Sequence, residues 1–191
     1  MTRVGIIVGS TRPGRIGEQI GRWVERHLSG LADVEVELID LAQVALPLLD
    51  EEQHASSGIY AHAHSRAWSQ RIQLLDAFVL VTPEYNSSFS APMKNALDFL
   101  SAEWQRKQVA MVGYGMTSAG TRAVQALLPV VVALGMIPAG STFLALRDRV
   151  DESGRFSSGP HDDEGLDDLV ADLLALVALL NPELRVAPVA S

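Results

Sequence analysis

The sequence predicts an α/β fold: one five-stranded, mainly parallel sheet of order 2-1-3-4-5, in a three-layer sandwich with helices on both faces. Three observations carry this. Apolar runs without alternation, such as Val4 to Val8 and "AFVLVTP", read as strands buried on both faces. Stretches of helical period follow them, so strand and helix alternate five times. No repeat, low-complexity tract or compositional break divides the 191 residues, so 1–191 reads as a single domain with a sizeable core.

Element by element, Val4 to Val8 is the first strand, and Ile16, Ile20, Trp23, Val24 and His27 or Leu28 mark the first helix. "VEVELID" alternates and is the second strand. A long connection from Leu41 passes into a helix ending near Leu75. "AFVLVTP" is the third strand, "SAPMKNALDFL" a helix and "QVAMVGYG" the fourth strand. "GTRAVQALLPVVVALG" is a helix bent or interrupted at Pro129, and "MIPAGSTFLAL" is the fifth strand. "RDRVDESGRFSSGPHDDEG" reads as a polar linker, and "LDDLVADLLALVALL" as the last helix. Asp162, Asp163 and Glu164 suit its positive N-terminal end. The tail "RVAPVAS" is expected to be loose.

Composition narrows the function classes. A formal net charge of -8 argues against a nucleic-acid partner, which wants a basic footprint. Without cysteine there is no disulfide, thiol nucleophile or cysteine metal site. The apolar runs are too short for a signal peptide or membrane span, which implies a soluble, cytoplasmic protein with no membrane partner. His54, His62 and His64 lie in the long connection, but solvated histidines fit better than a metal site. Glu103 and Trp104 precede the fourth strand, where a core tryptophan fits better than a subunit brace.

In such sheets ligands bind beyond the carboxyl ends of the strands, where strand order reverses. Three turns lie there: "GSTRPGRIG", "TPEYNSSFS" and "GYGMTSAG". Gly9 and Gly14 have P-loop spacing, but Arg15 and Ile16 replace its lysine and hydroxyl. Thr11 stands where a dinucleotide fingerprint needs its middle glycine, although Asp40 ends the second strand where a ribose-binding acid would sit. What remains is Ser10, Thr11, Arg12 and Arg15 beside a helix N-terminus, a set suited to one terminal phosphate. In the second turn Pro83 fixes the chain, and Glu84, Tyr85 and Asn86 offer main-chain donors, a ring and an amide for a flat heteroaromatic. In the third, Gly113 and Gly115 flank Tyr114 and permit close backbone approach to a ligand.

Together, "GSTRPGRIG", "PEYNSSFSAPMKNALDFL" and "GYGMTSAGTRA" resemble the NAD(P)H-dependent FMN reductase family of flavodoxin-like proteins, over about Val4 to Phe143. The resemblance implies bound FMN and an NADPH or NADH donor. Flavins, quinones, azo dyes or metal oxyanions are the implied acceptors. It also implies a homodimer or homotetramer. Position by position, Ser10 and Arg12 match the phosphate grip, and Arg15, Ile16 and Gly17 the rest of that loop. Pro83, Glu84, Tyr85 and Asn86 match the segment along the isoalloxazine edge, and Gly113, Tyr114 and Gly115 the loop near its other edge. Lys94 and Asn95 match subunit-contact and turn-bracing positions, outside direct cofactor contact. Thr121 departs from the Gly-Gly that many relatives carry. The implied chemistry is borne by the flavin and needs no catalytic side chain and no metal. The other class left open is a flavodoxin-like electron carrier that holds FMN without turning over NAD(P)H; Arg12 and Arg15 favour the reductase.

Overall fold

The computed structural model describes residues 1–181; the tail expected to be loose lies outside them. Five strands form one parallel sheet in the order β2-β1-β3-β4-β5: β1 Thr2–Val8, β2 Val34–Asp40, β3 Ala77–Pro83, β4 Gln108–Gly115 and β5 Ile137–Ala145. This is the order the sequence predicts. The continuous apolar runs are explained by burial on both sides. Ile7, Phe78, Leu80, Val109 and Met111 join one core layer; Val4, Ile6, Val79, Val81, Ala110 and Val112 join the other.

Helices α1 (Gly17–Ser29) and α6 (Pro160–Leu180) cover the second of these faces, through Ile20, Trp23, Val24 and Leu28 and through Leu166, Leu169, Val170, Leu173 and Val177. Helices α3 (Ala63–Gln73), α4 (Ala91–Asp98) and α5 (Thr121–Ala133) cover the first, with Trp68, Met93, Leu97, Leu127 and Val131 in the core. The short α2 (Leu41–Val44) follows β2 directly, its start capped by Asp40. Trp104 is fully buried and donates to Leu97 O at 3.1 Å, while the buried Glu103 accepts from Tyr60 and Ser69.

Two expectations give way. Helix α5 runs through Pro129, so of the bend or interruption expected there the interruption does not occur; Pro129 and Gln125 both lie on its exposed face, where solvent can reach the carbonyl that proline leaves without a donor. Helix α6 starts at Pro160 rather than near Leu166, because Pro160 suits a first turn and Asp162 reaches back to the Gly159 N–H at 2.7 Å. The acids read as flanking the helix therefore sit within its first turns.

The long connection after β2 is pinned rather than loose. The Asn95 amide accepts from Leu49 N at 3.0 Å and donates to Pro47 O at 2.7 Å, and Glu51 accepts from Ala61 N and His62 N. His62 and His64 stack at 5.2 Å, and His64 faces Asp50 at 2.9 Å. Among the described residues, no three histidine or acidic side chains are arranged to hold a metal ion.

Lys107 precedes β4 and sends its ammonium to Ile72 O at 2.6 Å, at the end of α3, over the Phe78 ring. Burial pulls its pKa down to about 8 from the usual 10.5. Below pH 8 both folded and unfolded chains hold the proton, and the fold carries the full cost of burying the charge. Between pH 8 and 10.5 the unfolded chain holds more protons, so stability rises with pH. In urea unfolding at a series of pH values, wild type should gain on Lys107→Met across that window; parallel curves would count against it.

Candidate functional site

The sheet order sets β1, β3 and β4 side by side, so the turns that follow them converge at one edge. They are tied together there. Gly9 N donates to Val81 O at 2.9 Å, Ser90 Oγ donates to Gly9 O at 2.6 Å, and Glu84 N donates to Tyr114 O at 2.8 Å.

The first turn ends on the N-terminus of α1, where Ile16 is the cap residue and no side chain caps the free N–H groups. Beneath it Ser10 is wholly buried and Tyr114 nearly so, and neither hydroxyl has a hydrogen-bond partner among the described residues. The two hydroxyls converge on Gly17: a Cβ there would lie 2.1 Å from Ser10 Oγ and 2.5 Å from Tyr114 OH. Burial pushes the Tyr114 phenol above its ordinary pKa, so it remains a donor. Arg15 has turned away from the turn's mouth. It pairs with Asp40 and lies 4.0 Å from Glu18, its Nε buried without a partner. The carboxylate weighed as a ribose acid thus holds an arginine and caps α2. Arg12 is exposed and pairs with no carboxylate among the described residues.

The second turn is a tight hairpin. Tyr85 N donates to Ser88 O at 2.9 Å and Ser88 N to Tyr85 O at 3.0 Å, with Asn86 and Ser87 both at positive φ. The N–H groups of Glu84 and Tyr85, expected to face a ligand, are therefore already engaged within the chain. Of the three, Asn86 N–H alone has no partner among the described residues. The Glu84 carboxylate is buried and bridges to the third turn, accepting from the Ser118 hydroxyl and from Arg122 N at 3.2 Å. There Gly120 holds a left-handed φ of 89° at the start of α5. The Thr121 hydroxyl turns back onto Ser118 O at 2.9 Å instead of projecting outward.

Between the turns lies a cavity of about 420 Å³, lined by Arg12, Gly14 and Ile16, by Pro83, Glu84 and Tyr85, and by Tyr114, Gly115 and Met116. Each of the three turns expected to adjoin supplies part of this lining. A fourth wall was not expected: it is made by Leu146, at the end of the run read as the fifth strand, and by Arg147, Val150 and Gly154 from the segment read as a polar linker. That segment is ordered: Val150 bridges to Phe156, and Gln19 of α1 bonds both Gly154 O and Phe156 N. Phe156 is buried edge-on to Trp23. The available signal was Val150 and Phe156 flanking "DESGR", a hairpin pattern hidden in polar surroundings. Of the remaining sequence-named residues, Gly113 lies under the Gly120 carbonyl, where a Cβ would come within 2.7 Å.

A site of this build suits a mononucleotide. Among the described residues, an uncapped helix start, an arginine without a carboxylate partner and two buried hydroxyls without a partner form a set suited to an anion, and a largely apolar slot with an aromatic wall adjoins them. FMN fits these residues. The chain matches the family model for NADPH-dependent FMN reductase over residues 2–149. A NAD(P)H-dependent FMN reductase of Saccharomyces cerevisiae is 36% identical over 124 residues, covering 59% of this chain and 65% of that one. A 2-hydroxy-1,4-benzoquinone reductase of a Burkholderia species is 30% identical over 133 residues, covering 66% and 67%. The chain spans a little under two thirds of the length of the fungal reductases it matches. In fold it is similar to a flavoenzyme NAD(P)H:(acceptor) oxidoreductase of Paracoccus denitrificans, with a TM-score of 0.69 at 19% identity over 95% of this chain and 98% of that one.

Proposed function

The chain belongs to the NADPH-dependent FMN reductase family, and on that premise we propose that it is an enzyme that binds FMN and uses NADPH or NADH to reduce a small acceptor, such as a flavin or a quinone. The bound FMN would supply the redox chemistry, taking hydride from the nicotinamide and passing electrons on. The protein's part is to bind and orient. Arg12 and the open N-terminus of α1 hold the phosphate, and Ser10 and Tyr114 supply hydroxyls beneath it. Pro83 to Asn86 and Gly113 to Gly115 flank the ring, with Tyr85 offering a half-exposed aromatic face. The observation that carries the reading is the pair of buried, unpartnered hydroxyls converging on Gly17, since leaving such groups unsatisfied costs about 1–3 kcal/mol each without a ligand.

The same reading takes residues 1–191 as one domain of a cytoplasmic homodimer or homotetramer. Exposed Leu48, Leu128 and Val132 provide apolar surface for an interface, and no helix among the described residues is long and apolar enough to cross a membrane.

The test is a spectrum. Protein supplied with FMN and freed of excess should be yellow, and anaerobic NADPH or NADH should bleach it. Retained flavin that neither nucleotide bleaches would make this a carrier; a colourless protein would remove the site itself.

A further inference from the structure

The cavity carries a charge to which the proposed grip on the FMN phosphate gives no part. Three charged side chains line it: Arg12, Glu84 and Arg147. The Glu84 carboxylate is already held by Ser118 and Arg122. Arg12 and Arg147 are exposed, and neither pairs with a carboxylate among the described residues. In a chain of net charge -8, two free guanidinium groups on one cavity make a positive spot against the sign of the whole molecule, and such a spot gathers anions.

The two arginines enter the cavity from opposite sides of the sheet edge. Arg12 follows β1 and Arg147 follows β5, with β3 and β4 between them. Three strand spacings separate their roots by roughly 14 Å. The ring's flanking loops belong to the strands in between. Arg147 is also presented from a fixed platform. It sits in the helical turn Leu146–Asp148, ahead of the Val150–Phe156 bridge that Gln19 clamps onto α1 and Phe156 anchors against Trp23.

We propose that Arg147 is a specificity-determining residue that binds a phosphate group of the nicotinamide donor, at the far end of the cavity from the FMN phosphate. The inference rests on the FMN-reductase reading above. A guanidinium matches phosphate with paired, charge-assisted hydrogen bonds, while a neutral quinone offers it only uncharged carbonyl acceptors and weaker bonds. The phosphate has two possible sources, the 2′-phosphate unique to NADPH and the pyrophosphate common to both nucleotides.

Wild type, Arg147→Gln and Arg147→Lys are compared with NADPH and with NADH, measuring KM and kcat at saturating FMN and the FMN Kd by flavin fluorescence. Arg147→Gln should raise the donor KM about tenfold, the usual scale for losing one charge-assisted contact. It should leave kcat and the FMN Kd unchanged, and Arg147→Lys should recover part of the loss. A rise for NADPH alone assigns the 2′-phosphate; equal rises for both assign the pyrophosphate. Unchanged KM values for both donors overturn the proposal. So does an FMN Kd that weakens in step, which would give Arg147 to the cofactor. A wild type that oxidises neither nucleotide overturns the underlying function first, and is recognised before any variant is compared.

Discussion

Replacing Gly120 with alanine should destabilise the protein by more than about 4 kcal/mol, a loss few single substitutions reach. The cause is backbone meeting backbone. A Cβ at Gly120 would lie 2.1 Å from Tyr114 N and 2.3 Å from the Gly113 carbonyl carbon. Neither atom is the end of a flexible side chain; both belong to β4, whose every residue is buried and which pairs with β3 on one side and β5 on the other. The φ of 89° adds strain for any residue with a side chain. Relief would mean moving the start of α5 away from the sheet, and with it the Ser118 and Arg122 contacts that hold Glu84. The control is Gly154→Ala, at a similar positive φ but with nothing within 4 Å, which should cost only about 1–2 kcal/mol. Urea midpoints read both. Equal losses at the two positions would mean that conformational strain alone, and not the crossing of β4 and α5, governs Gly120.

The fold was legible because its strands are buried on both faces. Runs such as "GIIVG" and "AFVLV" admit few other readings when helical periods separate them. The convergence of the turns was legible for a related reason: Ser10, Arg12, the Pro83–Asn86 run and the Gly113–Gly115 pair sit at strand ends, and parallel topology brings strand ends together. What stayed hidden depends on contacts across long sequence separations. Nothing near Arg15 in the chain reveals that Asp40 will claim it, 25 residues on. Nothing near Gly154 and Phe156 reveals that Gln19 will hold them, so a structured fourth wall reads as a polar linker. The N–H groups of Glu84 and Tyr85 were assigned to a ligand because sequence shows a donor but not its partner. Tyr114 shows the same limit in another form: it is named with the third turn, yet its hydroxyl reaches back to Gly17 under the first turn.

Gly17→Ala should weaken FMN binding by more than about 100-fold while changing riboflavin binding far less, because the two ligands differ only in the phosphate. The added methyl would take the space on which Ser10 Oγ and Tyr114 OH converge, at 2.1 and 2.5 Å, with Val8 Cγ1 at 3.2 Å behind them. Since α1 begins at Gly17, any shift that relieves the clash also moves the N–H groups proposed to hold the phosphate. Ser10→Ala separates chemistry from crowding. It removes a buried hydroxyl without a partner, so the ligand-free protein should become more stable by about 1 kcal/mol, while FMN binds more weakly for want of that hydroxyl. Opposite signs in one variant distinguish a group kept for a ligand from a group kept for the fold. Thermal unfolding without flavin reads the first effect and fluorescence titration with FMN and riboflavin the second. If Ser10→Ala lowers the melting temperature and leaves FMN affinity intact, the hydroxyl serves the fold, and the anion must dock elsewhere on this edge of the sheet.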